Sequence, residues 1–424
     1  MKKYNFKEGD LIEVTTSTEK SQGILMQSPS QNLVIKLNNG YNLSINKNDI
    51  KSIKLLQKYK QQKEKKVSQI KFNKNLPTIS ILHTGGTIAS KVDYKTGAVS
   101  AKFSPQDLLQ IFPELQNTAN IKSKLIFQIF SEDMEPKHWI ILAKEILKEI
   151  KNKINGIIIT HGTDTLAYTS AALSFMLQDL NIPILLVGAQ RSSDRGSSDA
   201  ALNLICATHF ITKTNFTGVA VCMHSSIEDN YCYIHPGTKV KKLHSSRRDA
   251  FKTINDKPYA KAYPDGKIEY LRDYPKKDSS KKLDIKIGFD QKVAILKARP
   301  GLNIKELEFY EKNKYKGLIL EGTGLGHLPL YTLKILQRMN KKGIFLVMTP
   351  QTIFGHINLN VYSRGRELQN VGIISGEDML AETAYVKLGW LLANYPKNQI
   401  RKLITENLCG EINKRILPDE YIEE

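Results

Sequence analysis

Apolar and polar residues alternate in short bursts near the start of the chain. Leu33-Val34-Ile35-Lys36-Leu37 and Tyr41-Asn42-Leu43-Ser44-Ile45 read as strands. Between them Asn38-Asn39-Gly40 supplies residues that tolerate positive φ, a hairpin signal. Together with GDLIEVTT, QGILMQ and IKSIKLL they make five short strands within residues 9–56, which predicts a small β-barrel. From Pro77 the pattern changes. Pro77 to His83 is an apolar strand, and Pro136 to Lys151 sets Trp139, Ile140, Ala143, Ile146, Leu147 and Ile150 at helical spacing. Gly156 to Thr160 is a second buried strand, followed by a helix from about Leu166 to Leu177 and a strand from Ile184 to Val187. That β-α-β-α order predicts an α/β fold, a doubly wound parallel sheet with helices on both faces. Ligands in such sheets bind where the carboxyl ends of strands turn into helices.

The same reading divides the chain. Residues 1–57 are the barrel, 58–76 a linker, and 77–263 the larger α/β domain. Residues 264–290, polar and broken by Pro and Gly, form a connecting segment, and 291–424 a smaller C-terminal α/β domain built on VAILKA, GLILEGTGLGHLP, GIFLVMTP and VGIIS. Residues 51–75 hold nine lysines and one acid, Glu64, as expected of a solvated linker first and an RNA-touching arm second.

Composition narrows the classes. The chain is 424 residues, 41% hydrophobic and 25% charged, with no apolar run of the roughly 18 residues that span a bilayer. MKKYNFKEGD has lysines but no apolar segment behind them, so no signal peptide is expected and the protein reads as cytoplasmic. Cys206, Cys222, Cys232 and Cys409 show no CxxC pairing, and no HExxH occurs; buried reduced thiols are expected, and no metal. A net charge of +20 permits a polyanionic partner, and equally suits a lysine-rich proteome.

Two hydroxyl-bearing loops stand where such a sheet places its chemistry. Thr84-Gly85-Gly86-Thr87 leaves the strand at 77–83, and His161-Gly162-Thr163-Asp164-Thr165 leaves the strand at 156–160. If the strands are neighbours, Thr87 and Thr163 face each other across a pocket floored by backbone N–H groups, Gly86 and Gly162 among them. A threonine hydroxyl is a poor nucleophile until a neighbour takes its proton. Tyr94 follows Thr87 and Asp164 adjoins Thr163. Alone, TGGT is a turn signal and HGTDT a helix cap with Thr163 or Asp164 bonding free amides. The pair, each directly after an apolar strand, points to a nucleophilic site.

TGGTIAS (84–90) and HGTDT (161–165) resemble the two signature motifs of the bacterial-type L-asparaginase family, with further likeness in YKTGAV (94–99), SEDM (131–134) and VGAQRSSD (187–194). The resemblance implies Thr87 as primary nucleophile and Tyr94 as its activator on a mobile lid. It implies Thr163 and Asp164 as second threonine and acid, and a lysine from TKVKKLHSSRRDAF, best Lys242 and otherwise Lys241. Ser131 corresponds to a substrate-carboxylate contact. Glu132 stands where the family has Gln, and a carboxylate there suits an α-ammonium.

The barrel, with VIKLNNGYNLSI and KKLHSSRRDAF, is similar to the D subunits of archaeal glutamyl-tRNA(Gln) amidotransferases, a branch with this same plan. That likeness implies a glutaminase whose ammonia a partner protein uses to convert Glu-tRNA(Gln) to Gln-tRNA(Gln), with a homodimer of this chain inside a heterotetramer. The chain has no GxxxxGK[ST]. Cofactors are therefore expected to be none here, with ATP and Mg²⁺ on the partner. A free-standing L-asparaginase and an RNA-binding module with an inert amidase fold are the alternatives.

Overall fold

The computed structural model describes residues 6–421 apart from 27, 29–31, 39–41, 59–71, 87–89, 93–98, 102–112 and 192–196. The N-terminal strands are β1 (Leu11–Thr15), β2 (Lys20–Met26), β3 (Leu33–Lys36), β4 (Asn42–Ile45) and β5 (Ser52–Gln57), ordered β4-β3-β2-β1-β5. These five antiparallel strands form the small N-terminal β-domain expected from the sequence; among the described residues no ladder joins β4 to β5. Ile12, Val14, Ile35 and Ile45 are its buried core, the inward set that period-2 alternation dictates. The Asn39-Gly40 part of the expected hairpin turn, and most of the lysine-rich linker, lie outside the described residues.

The larger sheet has eight strands. In chain order they are β6 (Thr78–Gly85), β9 (Asn120–Ile129), β10 (Gly156–Thr160), β12 (Pro183–Val187), β13 (Gly218–His224), β14 (Cys232–Pro236), β17 (Ala260–Ala262) and β18 (Ile268–Tyr270). Across the sheet the order is β18-β17-β14-β13-β12-β10-β6-β9. The intervening labels are short two-residue or three-residue strands: β7 (Ser90–Val92) with β8 (Val99–Ala101), β11 (Leu177–Gln178) with β19 (Asp284–Ile285), and β15 (Val240–Lys242) with β16 (Phe251–Thr253). Only β9, β6, β10, β12 and β13 run parallel; β14, β17 and β18 extend the sheet antiparallel. The sheet is thus mixed where an all-parallel one was expected. The reason is visible in the connections: β13 to β18 are joined by loops with no crossover helix, and a parallel return needs one. Residues 264–290, expected as a plain connection, contribute the edge strand β18 and the small strand β19.

β10, buried at every position, and β12 sit mid-sheet and read as continuous apolar runs for that reason. Helix α1 (Pro136–Lys151) starts on a proline, which suits a first helical position, and buries Trp139, Leu142, Ala143 and Ile146. Helix α2 (Leu166–Met176) is apolar nearly all round because it lies between the two α/β units. The C-terminal sheet is β20 (Val293–Lys297), β21 (Gly317–Gly322), β22 (Phe345–Pro350) and β23 (Ile374–Ser375), all parallel and in that order. α2 packs against a C-terminal helix, Ala381–Asn394, where Phe175 stacks on Trp390 at 5.6 Å and 27°. One hydrophobic cluster contains Leu82, Ile157, Phe175, Val221, Ile319, Val347 and Trp390, so both α/β units share a core.

Candidate active site

Three adjacent parallel strands end at the same level. β6 pairs with β10 from Ile79↔Gly156 to His83↔Thr160, and with β9 on its other side out to Gly85↔Ile129. Buried His83 ties the three laterally, with Nδ1 at 2.8 Å from Thr160 Oγ1 on β10 and Nε2 at 3.0 Å from Ser123 Oγ on β9. Burial pushes the His83 ring down to about 3. Thr84 adds a third tie, its hydroxyl donating to Thr160 O at 3.0 Å. The first threonine of the TGGT motif is therefore structural.

Both glycines are sterically required. Gly85 has φ +114°, and a Cβ on it would lie 2.1 Å from Ile129 O. Gly86 has φ +80°, and its Cβ would lie 2.9 Å from Gly162 N. Gly162 is squeezed in turn: a Cβ there would meet Ser131 Cβ at 2.7 Å and Oγ at 2.9 Å. Residues 85–86, 131 and 161–164, from three strand ends, thus close on one another without intervening side chains.

The second loop is held from behind. Trp139 Nε1–H donates to Thr169 Oγ1 at 3.0 Å, Thr169 donates to His161 Nε2 at 2.8 Å, and His161 Nδ1–H donates to Gly162 O at 2.7 Å. The chain needs a neutral ring with one proton, and burial supplies that by pushing His161 down to about 4. Thr163 is buried and its methyl packs at Gly188, where an added Cβ would stand 2.7 Å away. Helix α2 is capped by Thr165 rather than by Thr163 or Asp164, and the Thr165 hydroxyl donates to Ser131 O at 2.6 Å instead. Thr163 and Asp164 are left for other work.

Lys242 meets them both. Its Nζ donates to Thr163 Oγ1 at 2.9 Å and to Asp164 Oδ1 at 2.8 Å. Asp164 also bonds Ser131, whose Oγ donates to Oδ2 at 3.4 Å and accepts from Asp164 N at 3.3 Å. The Asp164 side chain is 64% exposed, so the ion pair contributes at most about 1 kcal/mol to folding. Stability does not account for it. A hydroxyl, an amine and an orienting carboxylate within hydrogen-bond reach match the arrangement that activates a nucleophile. Lys241, one residue earlier on β15, points elsewhere and pairs with Glu382 of the C-terminal unit. Ser131 is buried and opens a 3₁₀ turn, Ser131–Asp133, in which Glu132 is exposed. Thr87 and Tyr94 lie outside the described residues.

Comparison with known proteins fits this geometry. Residues 78–276 match the family model "Asparaginase, N-terminal", residues 292–404 "Glutaminase/Asparaginase C-terminal domain", and residues 6–56 "GatD N-terminal domain". Over 432 residues the chain is 46% identical to the glutamyl-tRNA(Gln) amidotransferase D subunit of Thermococcus kodakarensis, covering 100% of this chain and 98% of that one. The chain belongs to the GatD family, the D subunits of glutamyl-tRNA(Gln) amidotransferases. A GatD protein from Methanococcus maripaludis is 48% identical over 414 residues, covering 96% of this chain and 98% of its own. Among solved structures, the thermostable L-asparaginase of Thermococcus kodakarensis superposes with a TM-score of 0.72 at 31% identity, covering 80% of this chain and 100% of that one. L-asparaginase I of Vibrio cholerae gives 0.71 at 26%, covering 80% and 99%. This GatD chain is thus an asparaginase-fold amidohydrolase carrying an additional N-terminal β-domain.

Two residues that hold the site carry no motif signal: Thr169 and Trp139 have no chemistry of their own and act through hydrogen bonds. Gly188, which acts by leaving space for the Thr163 methyl, lies inside VGAQRSSD. His161 lies inside HGTDT, and its place before the Gly-Thr pair is the one signal available. Among the described residues no group of His, Cys, Asp or Glu is arranged to hold a metal ion.

Proposed function

We propose that this chain hydrolyses the side-chain amide of glutamine and delivers the ammonia to a partner protein. That partner activates Glu on misacylated tRNA(Gln) with ATP and Mg²⁺ and completes Gln-tRNA(Gln); this chain needs no cofactor of its own. Full-length likeness to GatD proteins supports the reading, as does the N-terminal match at residues 6–56. A homodimer of this chain within a heterotetramer, working in the cytoplasm, is the assembly we assign to it.

In the mechanism, Thr87 attacks the amide carbon after Tyr94 takes its proton, ammonia leaves, and water resolves the acyl-enzyme. Lys242, oriented by Asp164, controls the proton on Thr163. Thr163 then positions the attacking group in one of the two steps. Backbone N–H groups at Gly86 and Gly162 face the developing oxyanion. Ser131 receives the substrate carboxylate and Glu132 its α-ammonium.

The observation that carries the proposal is the Lys242 bridge to Thr163 and Asp164, beside a glycine pair with no room for a Cβ. The test is ammonia release from glutamine by the full chain, with and without the partner protein and Glu-tRNA(Gln). Thr87→Ala and Thr163→Ala are each expected to abolish it. Full activity in either variant overturns the assignment of that threonine. A second reading, a free-standing L-asparaginase, is favoured by the fold shared with L-asparaginases at 31% identity. Rapid asparagine turnover by the isolated chain, with no response to partner or tRNA, would select it.

A further inference from the structure

Three lysines in one short segment each meet a different carboxylate. Lys239 pairs with Asp378, Lys241 with Glu382, and Lys242 with Asp164. Two of those acids belong to the C-terminal unit, and only the third stands at the site. The Lys239 and Asp378 side chains are both 0% exposed. Removing either partner of such a pair leaves an uncompensated buried charge, so the contact is held firmly. Asp378 is engaged on every side: its Oδ1 accepts from Asn413 N at 2.8 Å, and its carbonyl accepts from Asn255 Nδ2 at 3.0 Å.

Asn255 closes the other side of the same anchor. It follows the β15–β16 hairpin directly, where Ile254 N donates to Lys239 O at 2.8 Å. Its φ is +56°, a conformation Asn adopts more readily than most residues. Its side chain clamps Gly355 of the C-terminal unit in both directions, accepting from Gly355 N at 2.9 Å and donating to Gly355 O at 3.0 Å. Both strands of the hairpin are therefore fixed at their base to one place in the C-terminal unit. From there the ladder runs Val240↔Thr253, Lys241↔Lys252, Lys242↔Phe251, which carries Lys242 to Thr163. Val240 and Phe251 bury one face of the hairpin, but apolar burial is non-directional. The directional bonds from this segment to the C-terminal unit are those around Asp378, the Thr383 hydroxyl donating to Thr238 O at 2.8 Å, and the Lys241–Glu382 pair. Of these, the fully buried contacts around Asp378 fix the base from which the strand carries Lys242.

We propose that Asp378 is a positioning residue for Lys242, acting through Lys239 and the Asn255 clamp and touching no substrate. The C-terminal unit thereby takes part in catalysis at a site of its own chain. The proposal rests on the reading of Lys242 as part of the site.

The experiment compares Asp378→Asn, Asn255→Gly and Lys242→Met in the full chain assembled with its partner, by kcat and KM for glutamine and by thermal melting. A displacement of about 1 Å at such a site costs about a hundredfold in rate, so kcat should fall between about tenfold and a hundredfold in Asp378→Asn. KM should change by less than about threefold, since the substrate contacts are untouched. Asn255→Gly keeps the left-handed backbone and both buried charges, and should lose kcat while melting near wild type even if Asp378→Asn folds poorly. Combined with Lys242→Met, neither should lower the residual rate further, because groups acting through one residue are not additive. Wild-type kcat in Asp378→Asn and Asn255→Gly, beside a crippled Lys242→Met, overturns the positioning role alone. So does a kcat loss that merely tracks the unfolded fraction. A fully active Lys242→Met overturns the site reading and this proposal together.

Discussion

Gly86 lies directly against Gly162, so closely that a Cβ on the first would stand 2.9 Å from the backbone nitrogen of the second. The contact joins the loops after β6 and β10, and its backbone runs at φ +80°. Gly86→Ala is expected to cost about 1–3 kcal/mol through the left-handed φ. The amidase rate should fall by about a hundredfold as the two loops are pushed apart. Denaturant melts and ammonia release measure the two effects separately. A rate near wild type would mean that this close approach has no part in the chemistry.

The two neighbouring lysines of β15 should part company on substitution. Lys242→Met breaks an ion pair whose carboxylate, Asp164, is solvent-exposed and is not left stranded, so its stability should change by less than about 1 kcal/mol. Its kcat should fall by about a hundredfold or more, the size of a lost acid–base contribution. Lys241→Met strips the partner from Glu382, a mostly buried carboxylate, and should lose about 1–3 kcal/mol of stability. Parallel measurement of melting and kcat decides; the larger kcat loss falling on Lys241 would reverse the assignment.

Acid should unfold this protein earlier than its carboxylates alone require. Burial lowers His83 and His235 to about 3 and His161 to about 4, from an ordinary value of 6.5. A base whose pKa is depressed by folding gives its full stability above 6.5, and loses it as pH falls toward the folded value. Each such ring then adds a slope of about 1.4 kcal/mol per pH unit. Urea midpoints measured from pH 7.5 to pH 5 should therefore hold level down to about 6.5 and drop below it. A flat profile over that range would show that these rings titrate in the folded protein as they do in the unfolded chain.

Lys387 lies at 0% exposure in the helix Ala381–Asn394, paired with Glu411 at 2.6 Å and donating to Ile404 O at 3.0 Å. Glu411 also accepts from Leu408 N and Cys409 N, so the pair fastens the C-terminal segment to that helix. Lys387→Met should destabilise by about 3–5 kcal/mol, since it strands a buried carboxylate. The readout is the shift in thermal midpoint, and a shift within a degree or two would refute a charged pair.

Much of this architecture is legible from residue order. Alternation at 33–45 and the apolar runs at 156–160 and 183–187 mark strands, because burial on one or both faces writes itself into the hydrophobic period. The glycines at 85, 86 and 162 and the hydroxyls and acid at 163–164 are readable as a constellation, since each motif leaves a strand in the same way. What sequence does not carry is the lateral arrangement. Nothing in KVKK says which lysine turns to Thr163, because the choice depends on a hairpin register and on acids more than a hundred residues away. The antiparallel extension β14-β17-β18 is hidden for a similar reason: its short strands lack a long period, and the turn-rich stretch around Pro264 reads as a connection. The helical ties behind the site, from Trp139 to Thr169 to His161, join residues 30 and 8 positions apart and leave no local pattern.

Phe175 and Trp390 stack inside a cluster drawn from both halves of the polypeptide, and that has an evolutionary corollary. Neither half can be traded for a homologous module without re-cutting the apolar surface it shares with the other. Backbone scission between them would leave two fragments still adhering through that surface. The asparaginase-like region should therefore diversify as one inherited block, while novelty accumulates at its N-terminal appendage and on its rim.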